Sequence, residues 1–136
     1  MAIVIALSVQ AYAADFSGVW SIDLRTPEQR SQDMECGRAE FRLTQQKDRI
    51  FGSHSMSTVG CGRLNEGNSE SVKGVVINGI AALVVTSSRN GASVLGRARV
   101  HGSQMNWEVL DEVHGGEPPG DSPLILERGT LTRLAE

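Results

Sequence analysis

Apolar and polar residues alternate with a period of two over much of this chain, the spacing of strands with one buried side. From Gly18 to Leu24, Trp20, Ile22 and Leu24 share a face. From Ala39 to Gln45, Phe41 and Leu43 face one way and Glu40, Arg42 and Thr44 the other. A turn at Lys47-Asp48 leads into Arg49 to Thr58. There Ile50, Gly52, His54 and Met56 oppose Phe51, Ser53, Ser55 and Ser57, both faces are mixed, and the pattern leaves the buried one open. Gly60 to Leu64 predicts a short strand, and Asn65 to Asn68 a turn.

Ser71 to Leu110 organises the rest. Four apolar runs are separated by Asn78-Gly79, Arg89-Asn90-Gly91 and His101-Gly102-Ser103, breaks that suit tight hairpin turns because Asn and Gly tolerate positive φ. Val75-Val76-Ile77 and Ile80 to Val85 are apolar at consecutive positions, so both of their faces need cover. A second copy of the chain, giving a homodimer through these strands, is the first expectation. The loop from Gly115 to Pro123 is the alternative cover.

Ala92 to Val100 places Val94, Gly96, Ala98 and Val100 inward and Leu95, Arg97 and Arg99 outward. Gln104 to Leu110 turns Met105, Trp107 and Val109 inward. Asp111 to Pro123 reads as a Gly- and Pro-rich loop, with Leu124 to Leu126 and Gly129 to Leu134 as closing strands. Thr26-Pro27 predicts a single helical turn with Thr26 as its cap. The fold class is all-β: an antiparallel up-and-down meander closing into a barrel of eight or nine strands.

The uncharged run from Ala2 to Val9, followed by Ala11-Tyr12-Ala13-Ala14, matches an export leader. The expected organisation is a leader over 1–14 and one β-barrel domain over 15–136, periplasmic or extracellular, with no membrane insertion after cleavage. In such a compartment Cys36 and Cys61, the only two cysteines, are expected to form a disulfide. Thirteen basic and 16 acidic residues, net charge -3, are interspersed, which argues against nucleic acid as a partner. Fifteen glycines against four prolines fit a turn-rich β domain.

Chemistry is sparse. His54, His101 and His114 are the three histidines. His101 falls in a turn. His54 reads as a hydrogen-bonded core residue or a ligand-facing one. His114 stands among Asp111, Glu112, Glu117 and Asp121, a set open to a hard cation or a His–carboxylate pair, but its spacing matches no calcium loop. No serine stands in a nucleophile elbow. Arg97 and Arg99, with Arg89 nearby, form a basic stripe open either to an anion or to solvent. No cofactor or metal is expected.

Gly18-Val19-Trp20 opening the first strand, together with Arg133 in the last, resembles the signature of the calycins. That superfamily includes lipocalins, avidins and small secreted bacterial inhibitors of metalloproteases. The resemblance implies that Trp20 and Arg133 close one end of the barrel, the guanidinium lying on the indole. Phe41 to Thr44 and Ile50 to Ser53 are similar to the second and third strands of avidin-type barrels. Only Trp107 accompanies Trp20, too few tryptophans for a biotin site of avidin type. The N-terminal inhibitory trunk of the metalloprotease inhibitors is not identifiable here. The resulting expectation is an exported, non-enzymatic barrel holding a small apolar or amphipathic ligand, with His54, Met56, Met105, Trp107, Arg97 and Arg99 as candidate contacts. The alternative is a protein-binding module, such as a protease inhibitor, acting through exposed loops.

Overall fold

The structure is a computed structural model that describes Ile3 and residues 15–135. Apart from Ile3, the leader expected over 1–14 lies outside the described residues. Strands β1 (Gly18–Asp23), β2 (Cys36–Gln46), β3 (Arg49–Val59), β4 (Leu64–Glu66), β5 (Val72–Ile77), β6 (Ile80–Thr86), β7 (Ser93–His101), β8 (Gln104–His114) and β9 (Arg128–Arg133) make one antiparallel sheet, with a single helical turn, α1 (Pro27–Ser31). The order β2-β1-β9-β8-β7-β6-β5-β3-β4, closed by β2 pairing with β3, is an eight-stranded barrel with β4 attached outside the ring. A closed eight-stranded antiparallel barrel is consistent with a calycin-like fold.

Local chemistry accounts for the hairpins and the helical turn. Asn78 and Gly79, both at positive φ (52° and 77°), form the two-residue turn whose twist matches its flanking strands. Thr26 caps α1: its side chain accepts from Gln29 N at 3.2 Å, and the Gln29 side chain accepts from Thr26 N at 2.8 Å, a reciprocal pair that stops the turn fraying.

Alternation decides which side chains fill the barrel. Trp20, Phe41, Ile50, Leu83, Met105 and Leu131 are fully enclosed, each worth roughly 1.5–3 kcal/mol of burial. Small residues make room for the large ones: Ala39, Ala81 and Ala98 are buried among them. At Gly96 a Cβ would stand 2.2 Å from Cη2 of Trp107, so the indole lies where any side chain would be. The undecided face of β3 resolves inward for Ile50 and His54.

Three stretches depart from the sequence reading. The short strand runs over Leu64–Glu66 rather than Gly60–Leu64; Asn65, read as a turn residue, is buried and bonded at both ends of its side chain. β8 continues through His114, because register shifts against β7 between Ser93 and Val94 and between Leu95 and Gly96 break the alternation by which it would be recognised. Leu124 to Leu126 join no strand, yet all three are buried.

Cys36 and Cys61 are disulfide-bonded, with Cα atoms 5.3 Å apart, tying the start of β2 to the chain just past β3. The bond is compatible with an oxidising, secreted or periplasmic environment.

Candidate functional site

The place to look for a ligand in a small barrel is its interior and mouth. Here the mouth is occupied by the chain itself. Between β8 and β9, residues 123–126 cross the barrel end with Leu124, Ile125 and Leu126 all buried, the last two joining the core cluster. Four polar side chains hold that backbone. The Ser87 hydroxyl donates to the Pro123 carbonyl at 2.7 Å, and Asn65 Nδ2 to the Leu124 carbonyl at 3.0 Å. The Trp107 indole N–H donates to the Leu126 carbonyl at 2.7 Å, and Leu126 N–H donates to His54 Nε2 at 3.1 Å. Leu124 sits at φ 50°, a left-handed conformation costing about 1 kcal/mol, which the surrounding bonds hold in place.

His54 is the hub. Its ring lies 4.4 Å from the Phe41 ring, centroid to centroid, and Phe41 meets Trp107 edge-on at 5.0 Å. Nδ1 is 2.9 Å from the Glu40 carbonyl oxygen; since that oxygen only accepts and Leu126 N–H only donates, the imidazole is neutral with its proton on Nδ1. Burial, only partly offset by the Glu40 carbonyl, pushes its pKa down to about 4. Of the two readings of this histidine, the hydrogen-bonded core residue is the one the geometry gives.

At the opposite end, Trp20 donates its indole N–H to the Phe16 carbonyl at 2.9 Å. The Arg133 guanidinium lies over the ring, 4.4 Å from its centroid, and donates to the Asp15 carbonyl. Gly18 sits at φ +133°, a conformation that side chains rarely adopt, and a Cβ there would lie 3.5 Å from the Arg133 side chain.

The candidate contacts therefore fall into two groups. His54, Met105 and Trp107 are enclosed, and Met56 packs against the same core. Arg97 and Arg99 project outward, and Arg97 pairs with Glu108. Trp107 nonetheless borders one outer groove together with Arg97 and Arg99, whereas His54 and Met105 lie wholly in the interior. The acidic set around His114 also disperses: Asp121 pairs with Arg89 at 3.1 Å, while Asp111, Glu112 and His114 are exposed on β8. Among the described residues no three His, Cys, Asp or Glu side chains gather to hold a metal ion. A further ion pair pins the loop entering α1, where Arg25 holds the Asp23 carboxyl well below the usual carboxylate range.

The loop from Gly115 to Pro123 was one candidate cover for the doubly apolar strands. It lies elsewhere: Glu117 N donates to the Asn90 carbonyl, and Asn90 Nδ2 to the Asp121 carbonyl. Val75, Ile77 and Val84 stand 41%, 61% and 38% exposed on the outer wall. Concave surface also lies outside the ring. A groove of about 390 Å³ is bordered by Arg97, Arg99, Asn106, Trp107, Glu108, Arg128, Gly129 and Thr130, and another flanks Lys73, Val75 and Val84.

Comparison with protein-family models, with curated proteins and with solved structures finds no match for this chain.

Proposed function

We propose that this chain is an exported, non-enzymatic barrel of calycin type that works by binding another macromolecule through its outside, the interior serving as structure. The observation that carries this reading is the stopper at Leu124–Leu126. Withdrawing it to admit a ligand would break the bonds from Asn65, Trp107 and His54 and leave buried polar groups unpaired, at about 1–3 kcal/mol each. The uncovered aliphatic residues of β5 and β6 supply a surface on which a partner would gain by burial. Export rests on the leader and the disulfide; calycin kinship rests on Gly18, Trp20 and Arg133 as they sit at the closed end.

Native mass spectrometry of the purified protein tests the reading, beside uptake of an apolar fluorescent dye. The expected result is the mass of the oxidised polypeptide alone and no dye held inside. A stoichiometric small molecule released only on unfolding would overturn it in favour of a ligand-carrying barrel. Inhibition assays against secreted proteases, with Glu117 to Gly120 replaced, separate binding by the loop from binding by the wall.

A further inference from the structure

On the outer wall the strand registers align a stripe and two flanks. Across one level run Arg49, Val75, Ala82, Arg97, Glu108 and Arg128. The level on one side passes through Phe51, Lys73, Val84 and Leu95; on the other side Ile77 pairs with Ile80, and Arg99 with Asn106 one residue beyond the Ala81–Ala98 pair. The centre, on β5 and β6, is therefore aliphatic apart from Lys73 at its margin. Basic groups border it on both sides. The acidic groups along these levels are Glu108, taken up by Arg97, and Asp111, at the far end beside Leu95. Arg49, Lys73, Arg99 and Arg128 make no ion pair among the described residues.

We infer that this face docks an acidic amphipathic segment of a partner protein, aliphatic side chains on Val75, Ile77 and Val84 and carboxylates toward Lys73 and Arg99. This rests on the outside-binding reading and specifies its partner. Charge placement selects the occupant. In a two-fold pairing with a second copy, face to face, an axis along the strands lays the Arg97 and Arg99 flank on the partner's Arg49 and Lys73 flank. An axis across the strands lays each flank on its own equivalent. Both bring unpaired cations together as the apolar centres meet, a like-charge cost that acidic side chains convert to attraction. A lipid surface is less suited, because the stripe runs along the wall and lacks the interfacial Trp and Tyr that anchor proteins at headgroup level.

The test is panning of a randomised peptide library on the immobilised protein, followed by anisotropy titration of the enriched peptides. Expected are sequences combining Leu, Ile or Val with Asp or Glu. Their affinity should fall by about tenfold from low to moderate salt, drop by about tenfold or more in Ile77→Lys/Val84→Lys, and weaken in Lys73→Glu and Arg99→Glu. These positions are outward-facing, and circular dichroism verifies that each variant folds. Enrichment of peptides without acidic residues, no enrichment, or affinity indifferent to these variants overturns the inference. So does a dimer in sedimentation that Ile77→Lys/Val84→Lys abolishes, or binding to phosphatidylserine vesicles abolished by the same change. Peptides that bind but map to the 115–123 loop would sink the wall while leaving the outside-binding reading intact; a small molecule inside the barrel would sink the latter.

Discussion

Nε2 of His54 accepts the amide hydrogen of Leu126 at 3.1 Å, joining residues 72 positions apart across the mouth of the barrel. The bond exists only while the imidazole is neutral. A protonated ring would present N–H to N–H, with Nδ1 already committed to the Glu40 carbonyl. Stopper and proton therefore compete for one lone pair.

Stability should consequently depend on pH in a definite window. The unfolded histidine takes up its proton near pH 6.5 and the buried one near 4, so between these values the unfolded chain binds more protons. The stabilisation is full above about pH 6.5 and declines as pH falls toward 4, by about 3 kcal/mol at the lower limit. His54→Gln offers an amide oxygen to Leu126 without titrating. It should be less stable than wild type at pH 7 yet lose little more between 6.5 and 4. Urea denaturation at half-unit pH intervals decides; equal slopes for the two proteins would refute the account. The Asp23–Arg25 pair adds acid sensitivity in the same direction but at lower pH, since the Asp23 carboxyl stays ionised below the usual carboxylate range.

The fold was legible where alternation and turn chemistry agree. Trp20, Phe41, Leu43, Val94, Ala98, Met105 and Trp107 face inward as their spacing dictates, and Asn78-Gly79 and Thr26-Pro27 form the turn and the capped helix their residues favour. The stopper was not legible, because three consecutive apolar residues describe a buried strand and a buried irregular segment equally well. What distinguishes them is where the backbone polar groups go, and their partners Asn65 and His54 lie 59 and 72 residues away. The only local hint is polar: a histidine and an asparagine at positions that proved to be interior. The end of β8 was not legible for the related reason that Leu110 and Val113, the unpaired residues at the register shifts, point to solvent.

Gly96→Ala tests the close approach behind Trp107. The new methyl would stand 2.2 Å from Cη2 and 2.6 Å from Cζ2 and Cζ3, with the ring held between Phe41 and its bond to Leu126. Moving the indole forfeits that bond, so the loss should reach about 2 kcal/mol or more, with a shift in tryptophan fluorescence. Gly62→Ala, where a Cβ would meet only Thr58 Oγ1 at 3.8 Å, should be nearly neutral in the same assay.

At the closed end, Arg133→Lys should be markedly destabilising although charge is conserved. The guanidinium stacks on Trp20 and donates to the Asp15 carbonyl at once, a combination that a planar fork allows and an ammonium does not. The expected cost is about 1–2 kcal/mol, read as a lower urea midpoint. A Lys variant matching wild type would show that the stacking contributes nothing.

The disulfide supplies the last prediction. It links β2 to the chain just beyond β3, strands already paired from Cys36–Val59 to Gln46–Arg49, so it adds little to native geometry and acts chiefly by restricting the unfolded chain. A bridge spanning 25 residues is then worth about 3 kcal/mol on the chain-entropy account. Reduction, or the double change Cys36→Ser and Cys61→Ser, should lower the urea midpoint by that equivalent while far-ultraviolet circular dichroism remains that of the barrel. Because the released chain expands, the denaturant slope should also rise. A fall in midpoint at constant slope would place the stabilisation in the folded state instead, and an unchanged midpoint would show that the bond is dispensable to this barrel.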